Sequence, residues 1–249
     1  MSDQRIPFSV REEARMGLQD WWADRIDTSI VNALTGNTGQ ADTRYSGNNA
    51  TSAPQYSATA GAGRWVFVNS NESTEASIST TSTITLAAID RAVVLAKTCT
   101  PLIRPIMTNG DARYIMFLHP FQVRDLRAAT TSNGSWIEIQ KALLQGNGSK
   151  DNPIFTGALG VYNQVILVEN NRIPAGTATT RRAVLCGAQS AALAVGQDNN
   201  PEKMSWVEEL FDYENQLGVS AGMIFGAKKT VFNSLDFGTI ALSTYAVGT

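Results

Sequence analysis

Charge is scarce in this chain. Of its 249 residues 17% are Asp, Glu, Lys or Arg, below the ~25% usual for soluble domains. The net charge is −2, so no overall basic character points to nucleic acid as a direct partner. Histidine occurs once, at His119, and cysteine twice, at Cys99 and Cys186. Three such residues fall short of the four ligands of a usual zinc site. Both cysteines lie in apolar runs ("VVLAKTCTPL", "AVLCGAQ"), which reads as buried free thiols in a reducing compartment. The opening "MSDQRIPFSVREEAR" has no apolar signal core, and no stretch reaches the ~18 apolar residues of a membrane helix. No membrane partner is expected.

What is present is a large apolar complement, 43% of residues, in a chain long enough for one large domain or two interleaved ones. Uncharged Ser, Thr, Asn and Gln carry the polar balance. A surface poor in charge opposes self-association weakly, which suits a protein covered mostly by its neighbours.

Residues 9–34 predict one long amphipathic helix. Ser9 and Glu12 have capping-box spacing, Ala14, Leu18, Trp22, Ile26, Ile30 and Leu34 recur every four residues, and Gly36 supplies the stop. Such a helix spans roughly 39 Å at 1.5 Å per residue. Residues 36–82 differ in kind, rich in Gly, Ser, Thr and Asn with one strand-like run, "RWVFV". Loops beyond ~12–15 residues are uncommon unless functional or disordered, and disordered segments lack aromatics. This one contains Tyr45, Tyr56, Trp65 and Phe67. It reads as an extended β-arm held by something outside the subunit. "LAAIDRAVVLAKT" at 86–98 is a second helix, apolar on nearly every face and so expected to be flanked on several sides.

From Arg113 the text alternates between strand and helix. "RYIMFL" is a buried strand, and "PFQVRDLRAA" a helix with Pro120 at its first position. "SWIEIQKALLQG" is a helix capped by Ser135 and stopped at Gly146. "VYNQVILVE" and "RAVLCG" are strands, and "AQSAALAV" a small-residue helix. Leu217, Val219, Ala221, Met223 and Phe225 then follow the two-residue period of a sheet. "TIALSTY" is a last strand.

Enzyme motifs fail in turn. A histidine base needs an orienting carboxylate and a nucleophile, yet there is no G-x-S-x-G elbow beside His119. The residue instead ends a strand and caps the helix begun by Pro120. Glu208, Glu209, Asp212 and Glu214 lack the ligand spacing of a calcium loop, and strand alternation turns Glu208 and Glu209 to opposite faces. "GAKKT" lacks the upstream glycine of a P-loop; Lys228 and Lys229 read as a turn between strands, meeting acidic residues of a neighbour. No catalytic, cofactor or metal residues are assigned.

The order "YIMFLHPFQVRDLR", Trp136 in a helix, "NPIFTGALGVYNQVILVE", "RAVLCGAQSAALAVG", "WVEELFDY" and "GAKKTVFNSLDFGTIALST" resembles that of N4-like tailed-phage major capsid proteins over residues 113–244. The resemblance implies an α+β fold, the Hong Kong 97-type phage capsid fold with axial domain, peripheral domain and extended loop. Mapped onto this chain, it implies an N-terminal helix at 1–35, the extended loop at 36–82 and the long peripheral-domain helix at 83–103. The axial domain would occupy 104–200 and peripheral-domain strands 201–249. The implied function is a major capsid protein, not an enzyme, whose copies form hexamers and pentamers of an icosahedral head around double-stranded DNA.

Subunit-contact residues expected on this reading are Tyr56, Trp65 and Phe67 as aromatic anchors, with Lys228, Lys229 and Glu208. Arg181 and Arg182 are a basic pair suited to a lumen-facing surface, with weak, non-specific DNA contact. With only eight residues before the opening helix, a separate scaffolding protein is expected. A portal, a decoration protein and the packaged DNA complete the partners, with no cofactor. The first lysine is Lys97, so the arm has no amine for a lysine–asparagine cross-link. The capsid would be made in the host bacterial cytoplasm. Two other readings stay open: a cellular nanocompartment shell of the same fold, and a soluble α/β enzyme with an unrecognised site.

Overall fold

The computed structural model describes residues 9–38, 51–59, 61–108, 110–129, 159–177, 179–196, 205–213 and 216–248. The expected helix at 135–146, Tyr45 and Glu214 lie outside the described residues. The first helix, α1, runs Val10–Thr35. Ser9 Oγ accepts from the Glu12 N–H, and Gly36 closes the far end with φ 64°. There the Gly36 N–H donates to Ala33 O and the Asn37 N–H to Asn32 O, satisfying carbonyls that a helix end leaves open. The four-residue stripe is the protected face in the exposed first half, while the last turn is buried on all sides.

The remaining elements follow in order: β1 (Trp65–Phe67), α2 (Leu86–Thr98), β2 (Ile106–Thr108), β3 (Asp111–Leu118), α3 (Pro120–Ala128), β4 (Val161–Tyr162), β5 (Val165–Glu169), β6 (Thr180–Cys186), β7 (Ala191–Gly196), β8 (Ser205–Phe211), β9 (Gln216–Gly222), β10 (Ile224–Lys229), β11 (Val231–Phe232), β12 (Leu235–Asp236) and β13 (Thr239–Tyr245). Seven strands make one mixed sheet, ordered β1-β13-β6-β3-β5-β4, with β2 added beside β3.

Period-two alternation sorts its side chains onto two faces. Met116, Leu118, Ala183, Leu185, Ile240 and Leu242 join Ala88, Ile89, Ala92, Val93 and Ala96 of α2 and Val123 and Leu126 of α3 in the main core. The intervening Val184 and Cys186 meet Leu34 at the end of α1, with Ile30 and Phe117 beside them. The sheet is therefore covered on both faces. Cys99 and Cys186 are buried free thiols, as their apolar settings predict; burial pushes Cys186 up to about 12.

Several expectations change. The arm is not wholly given over to contacts outside the subunit, because β1 pairs in parallel with β13, Trp65 opposite Ala241 and Phe67 opposite Ser243. The stretches 36–82, 104–200 and 201–249 all supply strands to one sheet. They share its hydrogen bonds and its core with α2. Helix α2 is flanked on one side, with Val94 exposed on the other.

The run "VYNQVILVE" is a hairpin, since Asn163 (φ 44°) and Gln164 (φ 66°) turn the chain between β4 and β5, as a two-residue type I′ connection requires. The expected helix over "AQSAALAV" is a strand: Ala191–Gly196 pairs residue for residue with Ile224–Lys229, and long-range pairing overrides alanine's helix propensity. Among the described residues no helix is long and apolar enough to cross a membrane.

Candidate functional site

His119 occupies a cap. Its Nδ1 accepts from the Phe121 N–H at 3.2 Å, and Gln122 Oε1 accepts from the His119 N–H at 3.0 Å. Burial, and then the Arg181 charge, hold its pKa down at about 4. The side chain is neutral near pH 7 and committed to ending β3 and starting α3.

Tyr56, Trp65 and Phe67 come together. The Tyr56 and Phe67 rings meet edge-on at 5.6 Å, and the Trp65 and Phe67 rings lie 5.2 Å apart. With Arg91, Val94 and Leu95 they line an open groove of about 510 Å³ beside α2. They are not equally available to a neighbour. Phe67 is 3% exposed and belongs to the subunit's own core. Trp65 donates its indole N–H to Ser243 Oγ at 2.8 Å and carries the Arg182 guanidinium over its ring at 5.0 Å. Tyr56 and Val94 keep large exposed surfaces. The Arg91 guanidinium caps the Phe67 and Val68 carbonyls at 2.8 and 2.7 Å, which closes part of this sheet edge to further strands.

The two lysines separate. Both lie in β10, not in a turn. Strand alternation leaves Lys228 exposed and buries Lys229 against Asp236, at 2.7 Å, so Lys229 does not meet a neighbour's carboxylate. Glu208 is elsewhere, on β8, where Arg11 of α1 reaches it at 2.7 Å and the Trp206 indole donates to it at 2.6 Å. These hydrogen bonds lower its pKa. Glu208, Lys228 and the aromatic groove form three separate places on the chain.

The basic pair is not a free patch. Arg182 forks onto Glu75, Nε to Oε1 at 2.6 Å and an Nη to Oε2 at 2.9 Å, and its other Nη donates to the Thr35 and Gly36 carbonyls. Glu75 also accepts from Ser243 Oγ at 3.0 Å and from the Thr177 N–H at 3.2 Å. This hub ties the end of α1 to β6, β13 and the 74–77 turn. Arg181 lies against the Phe121 ring at 5.7 Å. The sequence offered no signal for Glu75, which is 107 residues from its arginine.

Among the described residues the β8–β9 hairpin is a strongly exposed element. Every residue of β8 is exposed, and the hairpin stands as a two-stranded sheet beside the first half of α1. Its helix-facing side meets α1 across a cleft of about 480 Å³ lined by Arg11, Arg15, Leu18, Trp206, Glu208 and Ala221. Among the described residues no group of three His, Cys, Asp or Glu is placed to hold a metal ion.

The family described as phage capsid protein matches residues 1–248. The major capsid protein of Pseudomonas phage KPP25 is 25% identical over 270 residues, covering 96% of this chain and 69% of that relative. The capsid of Ralstonia phage GP4 superposes with a TM-score of 0.74 at 30% identity, over 98% of this chain and 70% of that one. The cyanophage Pam1 capsid asymmetric unit shares the fold, with a TM-score of 0.71 at 22% identity over 98% and 71% of the two chains.

Proposed function

The chain belongs to the phage capsid protein family, and from that premise we propose that its copies assemble as hexamers and pentamers into the icosahedral head of a tailed phage around double-stranded DNA. That it is a virion structural protein and not an enzyme follows from the family itself. The observation that carries the finer reading is the match to the Ralstonia phage GP4 capsid over 98% of this chain. The exposed apolar hairpin and aromatic groove support it, since a shell tile keeps surfaces for neighbours. We assign the chain to the Hong Kong 97-type fold and its N4-like branch. In that fold residues 104–200 are the axial domain, and 83–103 with 201–249, beside the N-terminal helix at 1–35, the peripheral part. Residues 36–82 contribute the overlapping loop through those of their side chains that stay exposed, Tyr56 first.

The mechanism is mechanical. Heterologous contacts close by rotation, and each contact in a closed shell raises the effective concentration of the next. Modest individual interfaces then suffice. A separate scaffolding protein, a portal, a decoration protein and non-specifically bound DNA are the proposed partners, with synthesis in the host bacterial cytoplasm.

The test is co-expression of the chain with and without its genomic neighbours, followed by negative-stain electron microscopy. Uniform closed shells that hold DNA when packaging proteins are supplied are expected. A stable monomer under every condition would overturn the reading. Shells filled with a protein cargo would return the nanocompartment in its place.

A further inference from the structure

The β8–β9 hairpin is built as if half of it were missing. Seven residue pairs join its strands, Ser205–Gly222 to Phe211–Gln216, but an isolated two-stranded hairpin is marginal in water. One face is accounted for, because Trp206 and Glu208 turn toward α1 and the Trp22 indole donates to Ala221 O at 3.3 Å. Alternation turns Val207, Glu209 and Phe211 the other way, and both Val207 and Phe211 are at least half exposed. Beyond the strand, at the outer end, Tyr213 is fully exposed. The outward face and the tip thus carry exposed apolar side chains and two acids, Glu209 and Asp212, for which no ion pair is found among the described residues.

The same chain presents a surface of opposite character. Leading into β2, Leu102 and Met107 are 55% and 67% exposed. Between them Arg104 is exposed, with no ion pair among the described residues. Arg113 of β3, opposite Ile106 in the ladder, is already held by Asp111 at 2.8 Å. An apolar acidic tip and an apolar basic corner on one molecule are the two halves of a heterologous contact.

We propose that the β8–β9 hairpin is a contact between copies of this chain. Val207, Phe211 and Tyr213 seat on the neighbour's Leu102–Met107 corner, and Glu209 and Asp212 face its Arg104. This rests on the shell-forming reading above and names the surface that reading needs.

Photo-crosslinking tests it. Tyr213 is replaced by benzoylphenylalanine in the full chain, and mixed isotopically light and heavy subunits are assembled, irradiated and digested. Light–heavy adducts on residues 98–113 are expected. In parallel Arg104→Glu should lower the assembled fraction about tenfold by setting like charges opposite each other, and Glu209→Arg with Asp212→Arg should restore it. Circular dichroism of the subunits should not change, since all three residues are exposed. Adducts elsewhere on a second copy would overturn the corner as the seat. Shells that form with intramolecular adducts alone, or none, would overturn the contact while leaving the capsid reading intact. Failure of the unsubstituted chain to assemble would overturn that reading, and the contact with it.

Discussion

Lys229 Nζ and Asp236 Oδ2 lie 2.7 Å apart with 1% and 2% of their side chains exposed. Burial pushes the lysine pKa down and the aspartate pKa up, and the partner's charge opposes each shift. Arg64, wholly buried, donates Nε to Asp236 O at 3.0 Å and an Nη to Pro101 O at 3.0 Å. Gln55 accepts from the Asp236 N–H at 3.0 Å. The pair thus stands at the junction of the 51–64 segment, β10 and β12.

Removing one partner strands the other. Lys229→Met should cost about 3–5 kcal/mol of unfolding free energy, whereas Lys229→Met with Asp236→Leu should return to near the parent value or above it. Urea denaturation of the three proteins checks this. A single variant as stable as the parent would show that the buried charge is not felt.

The Glu75 hub holds the end of α1. Glu75→Gln keeps the size but removes the charge facing the Arg182 fork, so stability should fall by about 2–4 kcal/mol. Amide exchange at 30–37 should quicken most, because Arg182 also caps the Thr35 and Gly36 carbonyls. Arg182→Lys in the parent should also lose stability, since an ammonium cannot fork onto the Glu75 carboxylate. Uniform exchange changes across the sheet would count against a local tie.

His119 supplies a pH dependence. Its pKa is lowered in the folded chain, from an unfolded value near 6.5 to about 4. The unfolded chain therefore takes up the proton first as pH falls. The contribution is complete above pH ~6.5, declines from there, and is gone by about 4, to a total on the order of 3 kcal/mol. His119→Asn retains a cap acceptor for the Phe121 N–H without titrating. Its stability should be flatter with pH through that window, and an unchanged slope would assign the dependence to other groups.

Gly36 is fixed by conformation and by space. Its φ is 64°, and a Cβ would lie 2.6 Å from the Ser52 carbonyl oxygen. Gly36→Ala should destabilise by about 1–3 kcal/mol, whereas Gly17→Ala, with nothing within 4 Å of its Cβ position, should stabilise by about 0.5–1 kcal/mol. Thermal melts of the two variants check both signs.

Several element boundaries are legible in local stretches of sequence. Ser9 and Gly36 bound α1, the apolar run 86–98 is α2, and His119 with Pro120 converts β3 into α3. Each depends on a cap or a period acting over about four residues, so local text suffices to read it. The alternating apolar positions of β3, β6 and β13 were legible for the same reason. Long-range packing, by contrast, makes the alanines of β7 a strand, joins β1 to β13, and turns Phe67 into its own core. It alone set Glu75 against Arg182 and Asp236 beside Lys229. Those outcomes depend on hydrogen-bond and charge partners that meet after the chain has folded back on itself. No local propensity ranks such partners, since sheet pairing and buried-charge compensation are settled by whichever groups share the desolvated interior.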